Sequence, residues 1–119
     1  MKILGLLVAL AACSGTARGL EAYRTDTQKT LDTRGPQLKA CYDEALKSDR
    51  ALSGTVTLQF VVEKQTGAFT KASVDPANTT APNALWQCVL RVVEGLKLEP
   101  ADKNEGRATF VYEFKPQSS

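Results

Sequence analysis

The sequence contains no histidine, and it has a single tryptophan and a single methionine. Without histidine, hydrolytic triads lose their usual general base, and metal sites lose their commonest nitrogen ligand. No Cys-x-x-Cys occurs, which removes the usual sequence sign of a thiol-redox centre. The glycines at 15, 19 and 35 lack the lysine and spacing of a phosphate-binding loop. No apolar run reaches the roughly 20 residues that a membrane-spanning helix needs. Neither charge sign dominates: 15 basic residues stand against 13 acidic ones, interspersed along the chain, with no basic stripe to track a nucleic acid. The residues therefore predict a non-enzyme with no cofactor, no metal site and no nucleic-acid partner.

What is present begins with a leader. Lys2 is followed by an uncharged stretch of Ile, Gly, Leu, Val and Ala to Ala12. As a helix, about ten such residues would span roughly 15 Å, half the hydrocarbon core, which suits a secretory signal rather than a span. Leu10-Ala11-Ala12-Cys13 resembles the bacterial lipobox, so residues 1–12 read as a lipoprotein signal peptide and Cys13 as the lipidated first residue of the mature chain. Ordinary cleavage after a small residue, with Cys13 an incidental thiol, is the alternative. Several acyl chains on one residue anchor a protein stably, whereas one does so marginally. The expected location is the periplasm of a Gram-negative bacterium, on a membrane rather than through it. Ser14 is not the aspartate that commonly retains lipoproteins at the inner membrane, which points toward the outer one.

Three cysteines become two once Cys13 carries lipid. Export places Cys41 and Cys88 in an oxidising compartment, where paired cysteines bridge. A redox role for the same pair is the competing reading. Residues 13–24, small and polar with Gly15 and Gly19, read as lipidated N-terminus and flexible tether, and 25–119 as a single domain.

Within that domain Leu38, Cys41, Tyr42, Ala45 and Leu46 share one face of a helix that starts at Pro36. Whether the helix reaches back past Gly35-Pro36, with a kink, is left open by propensity. Val56, Leu58, Phe60 and Val62 alternate as in a half-buried strand, and Lys64-Gln65-Thr66-Gly67 turns the chain. A second strand spans Phe69 to Val74, and its broken alternation predicts a bulge near Lys71. A second helix begins near Thr80 or Ala81, with Pro82 in its first turn, and ends at Glu94 before Gly95. A third strand presents Ala108, Phe110, Tyr112 and Phe114 on one face. The order α-β-β-α-β in an all-antiparallel sheet requires strand order 2-1-3 with two helices on one face, an α+β fold. Asp43-Glu44 reads as a solvated helix face, and Trp86 and Tyr42 as packing residues.

Cys41-Tyr42-Asp43-Glu44-Ala45-Leu46, Leu52-Ser53-Gly54-Thr55-Val56, the Gly67 hairpin, Gln87-Cys88-Val89 and Val111-Tyr112-Glu113-Phe114 resemble the TonB-C-like module known as the AgmX/PglI C-terminal domain, found in myxobacterial and related proteins. The resemblance spans about residues 30 to 115 and implies a TonB C-terminal-like fold with a Cys41–Cys88 bridge. The sequence departs from the family at Leu96-Lys97-Leu98-Glu99-Pro100, where Trp-x-Phe-Pro is usual, and at Tyr112-Glu113-Phe114, where Tyr-Pro-Phe is usual. TonB-like domains recruit partners by strand addition, so the resemblance implies an envelope protein added at the third strand, along Thr109, Val111 and Glu113. Lys115, Pro116 and a short strand protecting that edge are the opposite reading. The expected role is an adaptor of a motility, transport or secretion machine. A thiol-redox protein and a structural lipoprotein contacting cell wall are the alternatives.

Overall fold

The computed structural model describes residues 17–116. The leader, Cys13 and residues 117–119 lie outside the described residues.

Three α-helices and one sheet make up the domain: α1 (Leu20–Asp32), α2 (Gly35–Leu46), β1 (Gly54–Val62), β2 (Phe69–Val74), a 3-10 turn (Pro76–Asn78), α3 (Asn83–Val93) and β3 (Gly106–Phe114). The sheet is antiparallel in the order β2-β1-β3, as the alternation and the α-β-β-α-β order predict. The helical side of the fold holds one helix more than that order contained. The first helix starts at Leu20, so residues 20–24, read as tether, are helical. Tyr23, Thr27 and Leu31 recur at helical spacing and turn toward the core, and Leu31 is fully buried.

The break between α1 and α2 has a local cause. Pro36 has no N–H for the carbonyl of Asp32, and its ring would collide with that carbonyl if the helix ran on. The chain instead closes at Thr33 and restarts at Gly35, with Pro36 in a first turn, where a missing donor does no harm.

Val56, Leu58, Phe60 and Val62 point from β1 into the helices and are all essentially buried. Leu31, Phe69, Val93 and Leu98 close the core at one end; Leu38, Tyr42, Leu85 and Val89 close it at the other. Phe60 stacks on Phe69, with ring centroids 4.5 Å apart. The expected bulge sits where the broken alternation placed it. The β1–β2 register shifts between Gln59 and Val61, and Lys71 takes φ 56°. Helix α3 starts at Asn83 rather than Thr80 or Ala81: Pro82 disfavours helical backbone at Ala81, and the N–H groups of Thr80 and Ala81 both donate to the carbonyl of Thr55, which holds the segment along β1.

Cys41 on α2 and Cys88 on α3 form a disulfide, with their Cα atoms 5.8 Å apart. It ties the two helices together above the sheet. In the loop-closure account a bridge of this sequence separation stabilises the fold by about 4 kcal/mol, a large share of what a domain this small can muster.

Gly67 is where the chain has least freedom to carry a side chain. It has φ 74°, and a Cβ there would overlap the carbonyl of Leu98. The approach is close because residues 96–98 lie along the start of β2. Phe69 N–H donates to Leu96, Leu98 N–H donates to Gly67, and Ala68 bridges Lys97. The two leucines that stand where the resembling family carries Trp and Phe are buried there.

Candidate functional site

The two outer edges of the sheet differ. The edge at β2 is covered at its start by residues 96–98 and is distorted by the bulge at Lys71. Both devices are known to block edge-to-edge pairing. The edge at β3 has neither. All nine residues of β3 pair with β1 in one unbroken register, Gly54 opposite Phe114 through Val62 opposite Gly106.

Which backbone groups face outward follows from β1. The N–H of Thr57 donates to the Thr79 hydroxyl and its carbonyl accepts from Asp75, both on the β2 side; Thr55 likewise engages Thr80. In an antiparallel ladder the N–H and C=O of one residue point to the same side and alternate along the strand. Val56, Leu58, Phe60 and Val62 therefore bond β3 through Tyr112, Phe110, Ala108 and Gly106. The groups of Arg107, Thr109, Val111 and Glu113 point away from the sheet. The three residues singled out in the sequence, Thr109, Val111 and Glu113, thus fall together in the outward row, and their side chains are exposed. Among the described residues no backbone hydrogen bond reaches that row from outside the sheet.

The edge is flanked by two grooves. One, of about 650 Å³, lies between α1 and the first half of β3, with Leu20, Tyr23 and Arg24 opposite Ala108 and Phe110. The other, of about 590 Å³, lies between α2 and the second half, with Leu38, Tyr42 and Leu46 opposite Tyr112 and Phe114. Leu20 (74 % exposed) and Val111 (63 %) are the large apolar residues left open to solvent in the described part, and both line the first groove. A strand laid beside β3 would cover them.

The packing assignments stand. Tyr42 is buried and its hydroxyl donates to the carbonyl of Leu52; burial pushes its pKa up, helped by Asp43 and Asp49. Trp86 is half-buried beside the disulfide helices and donates to Asn83. Asp43 and Glu44 are exposed, Asp43 bonded to Lys39 on the same helix and Glu44 to Lys47 just past its end.

A buried ion cluster at the N-terminus was not legible in the sequence. Asp102, in the segment leading into β3, is completely buried. It accepts from the backbone N–H of Arg18 at 2.9 Å, from the Arg18 guanidinium at 3.2 Å and from Asn104 N–H at 2.9 Å. The same guanidinium bonds Asp26 at 2.7 Å and the carbonyl of Pro100 at 2.7 Å. Tyr23 closes the cluster by donating to the carbonyl of Asn104, and its pKa is raised by burial and by Asp102. The local sign available was Asp102-Lys103-Asn104, a sequence suited to an aspartate bonding the N–H two residues on. Nothing in it points to Arg18.

These features define an α+β domain with a covalently tied helix layer and one unprotected sheet edge. Comparison with known proteins adds no name to that class: no family model, no curated protein and no solved structure matches the chain.

Proposed function

We propose that this protein is a membrane-tethered interaction module of the bacterial envelope, an adaptor that takes up a strand from an envelope protein at the free edge of β3. The observation that carries the reading is the asymmetry of the two edges. One is bulged and covered, while the other is nine residues long, regular and flanked by grooves with exposed apolar side chains. A long flat edge is a template for added strands: the backbone supplies affinity, and the flanking grooves supply side-chain selection. The resemblance to the TonB-C-like module supports the same use of the same strand.

Anchoring follows from the lipobox at Cys13, in an exported chain on the periplasmic side of the outer membrane. The five residue-to-residue steps from Cys13 to Arg18 reach no more than about 18 Å when extended. Because Arg18 is bonded into the domain, the anchor holds the domain close to the bilayer rather than on a long leash. Cys41 is 4 % exposed and Cys88 is half-buried, so an attacking thiolate has restricted access to the bridge, which favours a structural role over a redox one.

The test is a proline at Val111. That N–H faces outward, so the substitution removes one edge donor and leaves the β1–β3 ladder intact. In-cell crosslinking should then lose its adducts while thermal unfolding stays cooperative. Tyr112→Pro, which removes a donor to β1, should unfold the domain instead. Adducts that survive Val111→Pro in a folded protein would refute the edge as the capture site.

A further inference from the structure

We infer that the strand received by β3 is β3 of a second copy of this chain, paired antiparallel about a two-fold axis through Phe110. The inference rests on the edge reading above and names its occupant. The product is one continuous sheet of six strands, β2-β1-β3 followed by the partner's β3-β1-β2, with both helix layers on the same face.

The charges of the outer row carry it. Arg107 and Glu113 lie near the two ends of β3, and Glu105 and Lys115 stand one residue beyond those ends, all with exposed side chains. Within one chain they pair only loosely, Arg107 with Glu105 at 3.6 Å and Lys115 with Glu113 at 3.7 Å. Outward-facing residues must oppose outward-facing residues, so the permitted self-pairings differ by steps of the centre along the strand. Centred on Phe110, Arg107 meets Glu113, Glu105 meets Lys115, and Thr109 meets Val111, each twice by symmetry. Centred on Val111, Arg107 would meet Lys115. Centred on Thr109, Glu105 would meet Glu113. Like charges directly opposite one another disfavour pairing, and opposite charges favour it. The register through Phe110 puts every charge of the row opposite its complement, in a checkerboard with the loose intrachain pairs.

Side-chain size selects the same register independently. The inner row of β3 runs Gly106, Ala108, Phe110, Tyr112, Phe114, small at one end and large at the other. Reversal about Phe110 sets Gly106 beside Phe114 and Ala108 beside Tyr112, with Phe110 beside Phe110. The bulky half of one strand thereby lies along the small half of its partner, where the groove under α1 opens. Val111, 63 % exposed in the single chain, is brought against Thr109 of the second copy.

The experiment is native mass spectrometry of the full chain, released from the membrane in detergent, with charge-swapped variants. Wild type should appear as a dimer. Arg107→Glu and Glu113→Arg should each appear as a monomer, the dissociation constant rising by more than about tenfold because two attractive pairs become repulsive. Co-expressed, the two variants should recover a dimer whose mass is that of one chain of each. In that pair the new glutamate meets the new arginine, and native Arg107 meets native Glu113. Recovery also shows that both variants fold. A dimer indifferent to either swap, or a monomeric wild type, would overturn the inference. Should the wild type be monomeric while Val111→Pro still abolishes crosslinks to another protein, the inference fails and the edge reading survives. If neither measurement responds, both fall together.

Discussion

Tyr112 carries a buried hydroxyl with no hydrogen-bond partner among the described residues. Its pKa is pushed up to about 12, first by burial and then by the negative charge of Asp32. The neutral phenol is the form the fold tolerates. Because the folded pKa lies above the unfolded value of about 10, this contribution to stability is whole below pH 10 and is lost as pH rises toward 12. An unpaired buried hydroxyl costs about 1–3 kcal/mol, and replacing it by an apolar group of the same shape removes that cost. Tyr112→Phe is expected to raise the urea midpoint by the equivalent of about 1 kcal/mol and to flatten the fall in melting temperature between pH 10 and 12. A fall unchanged from wild type would place the alkaline transition elsewhere. From sequence, Tyr112 and Tyr42 are equivalent: each is a tyrosine on an apolar face. Only the packed structure shows that the Tyr42 hydroxyl reaches Leu52 while that of Tyr112 reaches nothing.

Among the elements, the first helix is held in place by the Arg18–Asp102 cluster. Both side chains are almost wholly buried, 4 % and 0 % exposed. Removing one member of such a pair leaves a buried charge uncompensated and costs about 3–5 kcal/mol, whereas an exposed helix pair such as Lys39–Asp43 contributes less than about 1 kcal/mol. Arg18→Ala is therefore expected to lower the denaturation midpoint severely, and Lys39→Ala hardly at all. Equal effects in a urea titration would show that the Arg18–Asp102 cluster is not a structural tie. The strands and α2 were legible because hydrophobic period and turn residues are local properties of the chain. The beginning of α1 was not, since the sequence leading into it is small and polar, and Arg18 is fixed by a partner more than 80 positions away. The start of α3 was displaced for a related reason: the N–H groups of Thr80 and Ala81 are held by β1, a contact no propensity records.

At the scale of the molecule, the proposed lipid anchor and the disulfide can be tested together. Intact mass of the envelope-extracted protein should match a chain beginning at acylated Cys13, with two alkylations that appear only after reduction. An unmodified N-terminus, or Cys41 and Cys88 alkylated without reduction, would remove the lipoprotein reading or the staple respectively. Fold class and strand order needed little beyond the sequence. Antiparallel hairpin geometry, one returning helix and the most apolar strand at the centre leave a single economical arrangement. The Cys41–Cys88 bridge was expected from counting thiols in a chain read as exported, and the structure joins the same pair. The sequence by itself determined which residues alternate and where the chain turns and breaks, because each is fixed by neighbours a few positions apart. Tertiary structure alone decided that Asp102 is buried, that the β2 edge is covered while the β3 edge is open, and that the row of Thr109, Val111 and Glu113 is the one whose backbone faces away from β1. Burial, coverage and register depend on which distant segments meet, and no local pattern encodes that meeting.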